Sequence, residues 1–395
     1  MKTAGIICEY NPIHTGHANH IEKTRAALGD DSRIVCAMSG NYVQRGDFAV
    51  FCKHSRAEAA VRCGVDLVVE IPSPYVLLSA EGFAEAGVYI LDRLGVCDYL
   101  SFGSESGDIG VLKEAAAVIV SEPAEALTKE WLGKGMPYAS SRQKAADVVL
   151  GERSEVLLSP NNLLGIEYLK AIESLKSRLM PMTIRRTGGE HDGGGGYSAS
   201  ALRKKLLAGE RPWSYMPQAA AEVFIKEIAK GRGPVSMESY EIAMLSRLRA
   251  IDDFSGLSGA SEGLEHRFSR YAASEQTIAR MMEKIKTKRY AMSRIRRMMV
   301  CACLGISAAD AREPPPYIRV LAMNDAGMKL LKRARDNAGL PIITKPASVN
   351  KIPGRAREAF SMESAATDFY VLANRIENDR SGGQEWRKTP VVIDD

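Results

Sequence analysis

No apolar run in the 395 residues approaches the roughly 18 that a membrane span needs, and Ala115–Val120 is no more than a short patch. The opening MKTAGIICEY puts Glu9 directly after a brief apolar run and holds no signal-peptide hydrophobic region, so a cytoplasmic location without membrane attachment is expected. Seven cysteines (Cys8, Cys36, Cys52, Cys63, Cys97, Cys301, Cys303) form no C-x-x-C pair, which argues against a disulfide framework and a zinc knuckle and leaves buried or idle thiols. Internal repeats and extended low-complexity segments are also lacking. What is present is the composition of a soluble globular protein, 45% hydrophobic and 26% charged. The length exceeds one ordinary core of about 100–200 residues, so two domains are expected.

Net charge is only +5, but it is unevenly placed. Between Glu262 and Arg297 ten Lys/Arg face four Asp/Glu, so the basicity is local.

Thr3–Cys8, Arg33–Met38, Asp66–Ile71 and Tyr99–Phe102 are short apolar runs without helical period, separated by stretches of helical composition at Gly16–Leu28, Ser55–Cys63 and Ala80–Leu94. Strands alternating with helices predict a parallel α/β sheet of the nucleotide-binding type, with its site at the carboxyl ends of the strands. From about Pro217 helical patterns dominate: Ala220–Lys230, Tyr240–Ile251, Glu262–Arg270, Glu275–Leu304 and Met328–Ala338. The expected division is a Rossmann-like domain over 1–216, a mainly helical domain over 217–376 and a polar, mobile tail over 377–395.

The sharpest feature is Asn11-Pro12-Ile13-His14-Thr15-Gly16-His17, with His20 one turn on, where a strand passes into a helix. Three-residue spacing sets His14 and His17 on one face of a first helical turn, whose free N–H groups and dipole favour a phosphate anion. Gly16 allows a close backbone approach, and imidazole N–H groups could stabilise charge on phosphoryl oxygens. The other readings are an amphipathic helix with incidental histidines, or metal ligation, which three histidines without a nearby carboxylate cluster support poorly.

This segment resembles the ATP-binding element of the HIGH-type nucleotidylyltransferase superfamily. The runs Met38–Pro72, FGSE (Phe102–Glu105), SPNNLLGIEYLKA (Ser159–Ala171), EGLEHR (Glu262–Arg267), KTKRY (Lys286–Tyr290) and PYIRVLAM (Pro316–Met323) narrow the resemblance to the tRNA(Met) cytidine acetate ligase family. The resemblance implies an enzyme that activates acetate with ATP, Mg2+ assisting, and acetylates N4 of the wobble cytidine of elongator methionine tRNA. The sequence shows no sign of an obligate protein partner. The resemblance also implies ATP contacts from Ile7, Cys8, Glu9, Tyr10, Asn11, Pro12, Ile13, His14, Thr15, Gly16, His17 and His20, and from Gly103, Asn161 and Arg186, with His14 and His17 catalytic. Asn161 could instead cap the following helix, Asn162 could take its place, and Arg186 could form a surface ion pair. Glu9 and Glu105 could organise the histidines or a Mg2+.

The family's usual Phe and Asn are replaced by Ile13 and Thr15. The element Tyr197-Ser198-Ala199-Ser200-Ala201-Leu202-Arg203, after the glycine-rich His191–Gly196, keeps two serines and the arginine of the superfamily's I-S-A-T-x-I-R type while losing its threonine. Gln44-Arg45-Gly46-Asp47, with Lys53, His54 and Arg56, is read as part of an acetate or phosphate pocket. Downstream, Lys286, Lys288, Arg289, Arg294 and Arg297 are expected on the basic side of a helix whose apolar side holds Met281, Ile285 and Ile295, with Tyr290 free to stack an unpaired base of the tRNA. Two rival functions remain at this point: a nucleotidylyltransferase acting on a small phosphorylated cofactor precursor, and a non-catalytic RNA-binding protein with ATP as a structural ligand.

Overall fold

The computed structural model describes residues 1–186 and 198–394; the His191–Gly196 loop and Tyr197 lie outside the described residues. The first half alternates β1 (Thr3–Cys8), α1 (Thr15–Leu28), β2 (Arg33–Ser39), the hairpin β3 (Tyr42–Val43) and β4 (Asp47–Phe48), α2 (Lys53–Arg62), β5 (Leu67–Ile71), α3 (Ser73–Val76), α4 (Ala80–Arg93) and β6 (Tyr99–Ser104). Four helices follow, α5 (Ile109–Ile119), α6 (Glu122–Gly133), α7 (Tyr138–Leu150) and α8 (Pro160–Ser174), then β7 (Met180–Arg185), α9 (Ala199–Leu207) and α10 (Gln218–Ala229). The remainder comprises α11 (Glu241–Arg249), α12 (Leu264–Ala272), α13 (Ile278–Ile285), α14 (Met292–Leu304), β8 (Ile318–Asn324), α15 (Asp325–Asn337), β9 (Ile342–Ile343), α16 (Gly354–Tyr370) and β10 (Val391–Ile393).

The main sheet runs β10-β8-β5-β2-β1-β6-β7, with β9 also on β8. Strands β5, β2, β1, β6 and β7 are mutually parallel, and β8 joins β5 antiparallel. The strands are continuous apolar runs because both faces are covered. Side chains alternate between two cores: Ile7, Val35, Ala37, Leu67 and Val69 pack under α4 and α8, while Ile6, Ile34, Cys36, Met38 and Val68 face α2 and α10. The parallel register puts the carboxyl ends of β1, β2 and β6 on one edge, above which α1, α2 and α8 begin.

A helical core forms around Met244, Phe268, Met281, Ile295 and Tyr370, but it also takes in Tyr42 and Phe48 from the hairpin, Phe48 stacking on Tyr240 at 3.9 Å between ring centroids. The two regions therefore share a core, and the clean cut at 216/217 is corrected: β8 and β9, from the stretch read as helical, belong to the sheet. The mobile tail is corrected as well, since β10 pairs with β8 and Glu385 is completely buried. Glu275–Leu304, read as one helix, is two, separated by residues 286–291.

Candidate active site

Strand β1 delivers the motif to the sheet edge. Tyr10 turns the chain with φ +43°, a left-handed backbone that costs a non-glycine residue about 1–3 kcal/mol and tends to occur at functional sites. Its ring, 3% exposed, is held against His17 at 5.1 Å, with its hydroxyl near the Cys36 thiol. His14 then caps α1. Its Nδ1 accepts from the Gly16 N–H (3.0 Å), and the His14 N–H donates to His17 Nδ1 (3.3 Å), so the two histidines form a reciprocal capping box with rings stacked at 3.8 Å. An Nδ1 that accepts carries no proton, which fixes both rings as the Nε2–H tautomer. Burial, with Arg186 nearby, lowers the proton affinity of all three histidines, His14 and His20 to about 4, so they are neutral at pH 7. Two neutral N–H donors beside a helix N-terminus and one fixed cation suit a polyphosphate. His20 differs, because its Nε2 meets Ser101 Oγ (3.1 Å), which is paired to Thr24 (2.7 Å).

The opposite wall comes from β6 and β7. A methyl added at Gly103 would lie 3.1 Å from Arg186 Cγ, so glycine there makes room for the arginine stem, and the Arg186 N–H donates to Ser104 O. Glu105 is clamped to the start of α8: its carboxylate accepts from Asn161 Nδ2 (2.6 Å) and the Asn162 N–H (2.9 Å), while Asn162 Oδ1 accepts from the N–H groups of Glu105 and Ser106. Glu105 thus orders the loop. Asn162 is buried, and Asn161 is the more accessible of the pair.

Asn11 is a tie between segments. Its Oδ1 accepts from the Val50 N–H (2.8 Å), and its carbonyl accepts from Arg203 Nη1 (2.9 Å), which brings α9 to the motif. Glu9 accepts from the Gln44 N–H (2.6 Å), and burial raises its pKa. Sequence spacing gave no signal for either contact, since 192 residues separate Arg203 from Asn11.

Some residues named from sequence do not offer side chains here. Ile7, Cys8 and Ile13 are buried in the cores, leaving only their backbone to a ligand. Lys53, His54 and Arg56 are corrected: they are sealed under the sheet edge rather than lining a pocket. Lys53 Nζ sits 2.7 Å from Glu70, 2.8 Å from Glu385 and 3.2 Å from Glu363, and Arg319 Nε lies 3.0 Å from Glu385, all five fully buried. Burial opposes the charge on Lys53, but the three carboxylates outweigh it and hold its pKa above the ordinary value. Arg56 donates to the carbonyls of Phe51, Ser39, Gly40 and Glu9. Among the described residues no group of three or more His, Cys, Asp or Glu is arranged to hold a metal, and no helix is long and apolar enough to cross a membrane.

The basic segment splits. Lys288 and Arg289 are exposed at the α13–α14 junction. Lys286 donates to Tyr290 O (2.5 Å), and Arg294 pairs with Glu262 (2.6 Å), the acid that opens the segment. Tyr290 is corrected: it is 5% exposed and donates to Glu262 O, so its ring is not free to stack a base. Arg297 Nη1 reaches Gln44 O at 3.5 Å, where Gly46 (φ +73°) lies against α14 so tightly that an added Cβ would meet Arg297 N at 2.3 Å.

The model of the HIGH Nucleotidyl Transferase family matches residues 1–385. The tRNA(Met) cytidine acetate ligase of Caldicellulosiruptor saccharolyticus is 38% identical, covering 100% of this chain and 99% of the relative, and that of Caldanaerobacter subterraneus is 36% identical over 94% and 96%. The chain belongs to this ligase family. Its fold is that of the family too: a crystal structure of Thermotoga maritima TmcAL bound with alpha-thio ATP superposes with a TM-score of 0.93 at 31% identity, covering all of both chains. As a family member, the chain carries the HIGH motif at the strand-to-helix junction described above.

Proposed function

We propose that this ligase-family member couples ATP to the acetylation of elongator methionine tRNA. Acetate attacks the α-phosphorus of ATP, pyrophosphate leaves, and the N4 amine of the wobble cytidine attacks the carbonyl of acetyl-AMP, releasing AMP and giving N4-acetylcytidine. That exocyclic amine is a weak nucleophile because its lone pair is delocalised into the ring, so an activated mixed anhydride is needed. The observation that carries the reading is the capping box of His14 and His17. With both Nδ1 atoms occupied, the Nε2–H groups can bind the phosphates and stabilise the charge that grows as pyrophosphate departs. Arg186 would add a permanent cation, and Gly103 and Asn161, at the end of β6 and the start of α8, would meet the adenosine. With Glu9 and Glu105 engaged by backbone N–H groups, Mg2+ would be carried on the phosphate oxygens, where it would neutralise charge. Lys286, Lys288, Arg289, Arg294 and Arg297 would meet the tRNA backbone, so the helices around Met281 and Ile295 would supply the RNA side and the carboxyl edge of the sheet the ATP side, in the cytoplasm.

The test is exchange of labelled pyrophosphate into ATP with and without acetate. Acetate-dependent exchange in the absence of tRNA is expected. Exchange that ignores acetate and responds to a phosphorylated cofactor precursor would assign the chain to small-molecule nucleotidyl transfer instead.

A further inference from the structure

A cavity of about 290 Å³ lies beyond the ATP edge, between the start of α2, the end of α16 and the C-terminal segment. It touches the ATP site through one stretch of chain. Residues 49–52 are held on one side by Asn11, through the Val50 N–H, and on the other by Tyr370, whose hydroxyl donates to Ala49 O (2.7 Å). Cys52 and Tyr370 line the cavity, and Val50 lies two positions before Cys52, a reach of at most ~7 Å.

The lining is chemically mixed. Tyr370 and Val371, both buried, close its floor; Asn374 and Gln384 each donate to Asp379 O (2.9 and 2.7 Å) and keep their amide oxygens, Asn378 brings an exposed amide, and Arg387 and Lys388 bring cations. Arg232 also lines it, but Asp379 neutralises it at 2.9 Å. Lys388 and Arg387 have no acidic partner among the described residues, and no hydrogen bond of the Asn378 side chain is found there. Gln384, Arg387 and Lys388 flank Glu385, whose carboxylate is fixed by Lys53 and Arg319, and the Lys388 carbonyl accepts from Arg319 Nη2 (2.5 Å). The wall is therefore rigid before any ligand arrives, which lowers the cost of binding.

We propose that this cavity receives one unpaired nucleotide of the RNA, a neighbour of the cytidine presented to the ATP site. The inference rests on the tRNA reading above. Single-stranded RNA is read in pockets that offer hydrogen-bonding groups to the base edge and cations to the phosphate, and this cavity sets the Asn378 amide and the amide oxygens of Asn374 and Gln384 beside Arg387 and Lys388. Its volume lies near the lower bound of about 300 Å³ for small-molecule sites, enough for one nucleotide and not for a helix.

The test uses the full chain carrying Asn378→Ala and Lys388→Gln, neither of which holds another segment in place. With methionine tRNA transcripts, the KM should rise at least ~10-fold while acetate-dependent pyrophosphate exchange is unchanged. Transcripts made abasic at either neighbour of the wobble cytidine should be poorer substrates for the unaltered protein, and at one of the two positions the double variant should lose nothing further. If the abasic penalties are equal in the two proteins, or if AMP saturates the cavity while the tRNA KM is unmoved, the proposal is wrong and the cavity is a small-molecule site. Absence of acetate-dependent exchange or of tRNA acetylation in the unaltered protein would instead overturn the underlying functional reading.

Discussion

Two polar centres stand on the same edge of the sheet and behave oppositely. At the mouth, His14 and His17 use one nitrogen each to cap a helix and keep the other for a ligand. Beneath the edge, Lys53, Arg319, Glu70, Glu363 and Glu385 pair with one another, buried and out of a ligand's reach, with Glu70 Oε2 left without a partner. Both draw on residues that look functional in the sequence. What separates them is whether donors are left over once the fold has been satisfied.

Replacing Lys53 by Met should have the largest effect, since it leaves three carboxylates buried without their shared cation. Removing one partner of such a group costs about 3–5 kcal/mol, so the variant should show a large fall in Tm or accumulate as insoluble protein. A soluble variant with near-normal Tm would show that the cluster is not the structural centre described here.

His14→Ala and His17→Ala should each slow acetate-dependent exchange at least ~10²-fold, in line with about 2.7–4 kcal/mol for a lost transition-state donor, while circular dichroism stays native. His20→Ala should act more on Tm than on rate, because His20 is engaged with Ser101. Equal loss of rate in all three would erase the distinction between donor and buttress.

Neutralising Lys288 and Arg289 together should weaken tRNA binding, lower the slope of log affinity against log salt by about one to two, and leave exchange intact. An unchanged slope in a salt titration would place the RNA elsewhere.

The smallest effect concerns pH. The His14 pKa falls from 6.5 to about 4 on folding, so the unfolded chain binds more protons between those values. Stability should therefore decline as pH drops from about 6.5 towards 4, and His14→Asn should flatten that decline in urea titrations. A steeper decline in the variant would contradict the buried neutral ring.

Strands β1, β2, β5 and β6 were legible because a strand covered on both faces is an unbroken apolar run, as in Thr3–Cys8 and Leu67–Ile71. Strand β8 was not, lying within a stretch dominated by helical pattern, and β10 hides in a polar tail ordered by partners distant in sequence, β8 for the strand and Lys53 and Arg319 for Glu385. The histidine motif was readable because its spacing coincides with one helical turn. Its capping box was not, since the same pattern also permits metal ligation. Lys53 and Tyr290 misled for one reason: linear sequence shows residue type, and burial depends on partners 310 residues away for Lys53–Glu363 and 28 away for Tyr290–Glu262.

The Lys53 cluster also bears on the order in which the chain can acquire its shape during synthesis. Lys53 and Glu70 leave the ribosome close together, whereas Glu363 follows Lys53 by 310 residues and Glu385 comes later still. Until then the nascent sheet holds a lysine with one of its three carboxylates, and β5 has an unpaired edge where β8 will dock. The β1–β7 half of the sheet is thus not a unit that settles first and waits for the helices that follow. Final closure awaits the segment that carries Glu363, Glu385 and β10, and a message truncated near codon 216 should yield a product for proteases rather than a working half-enzyme.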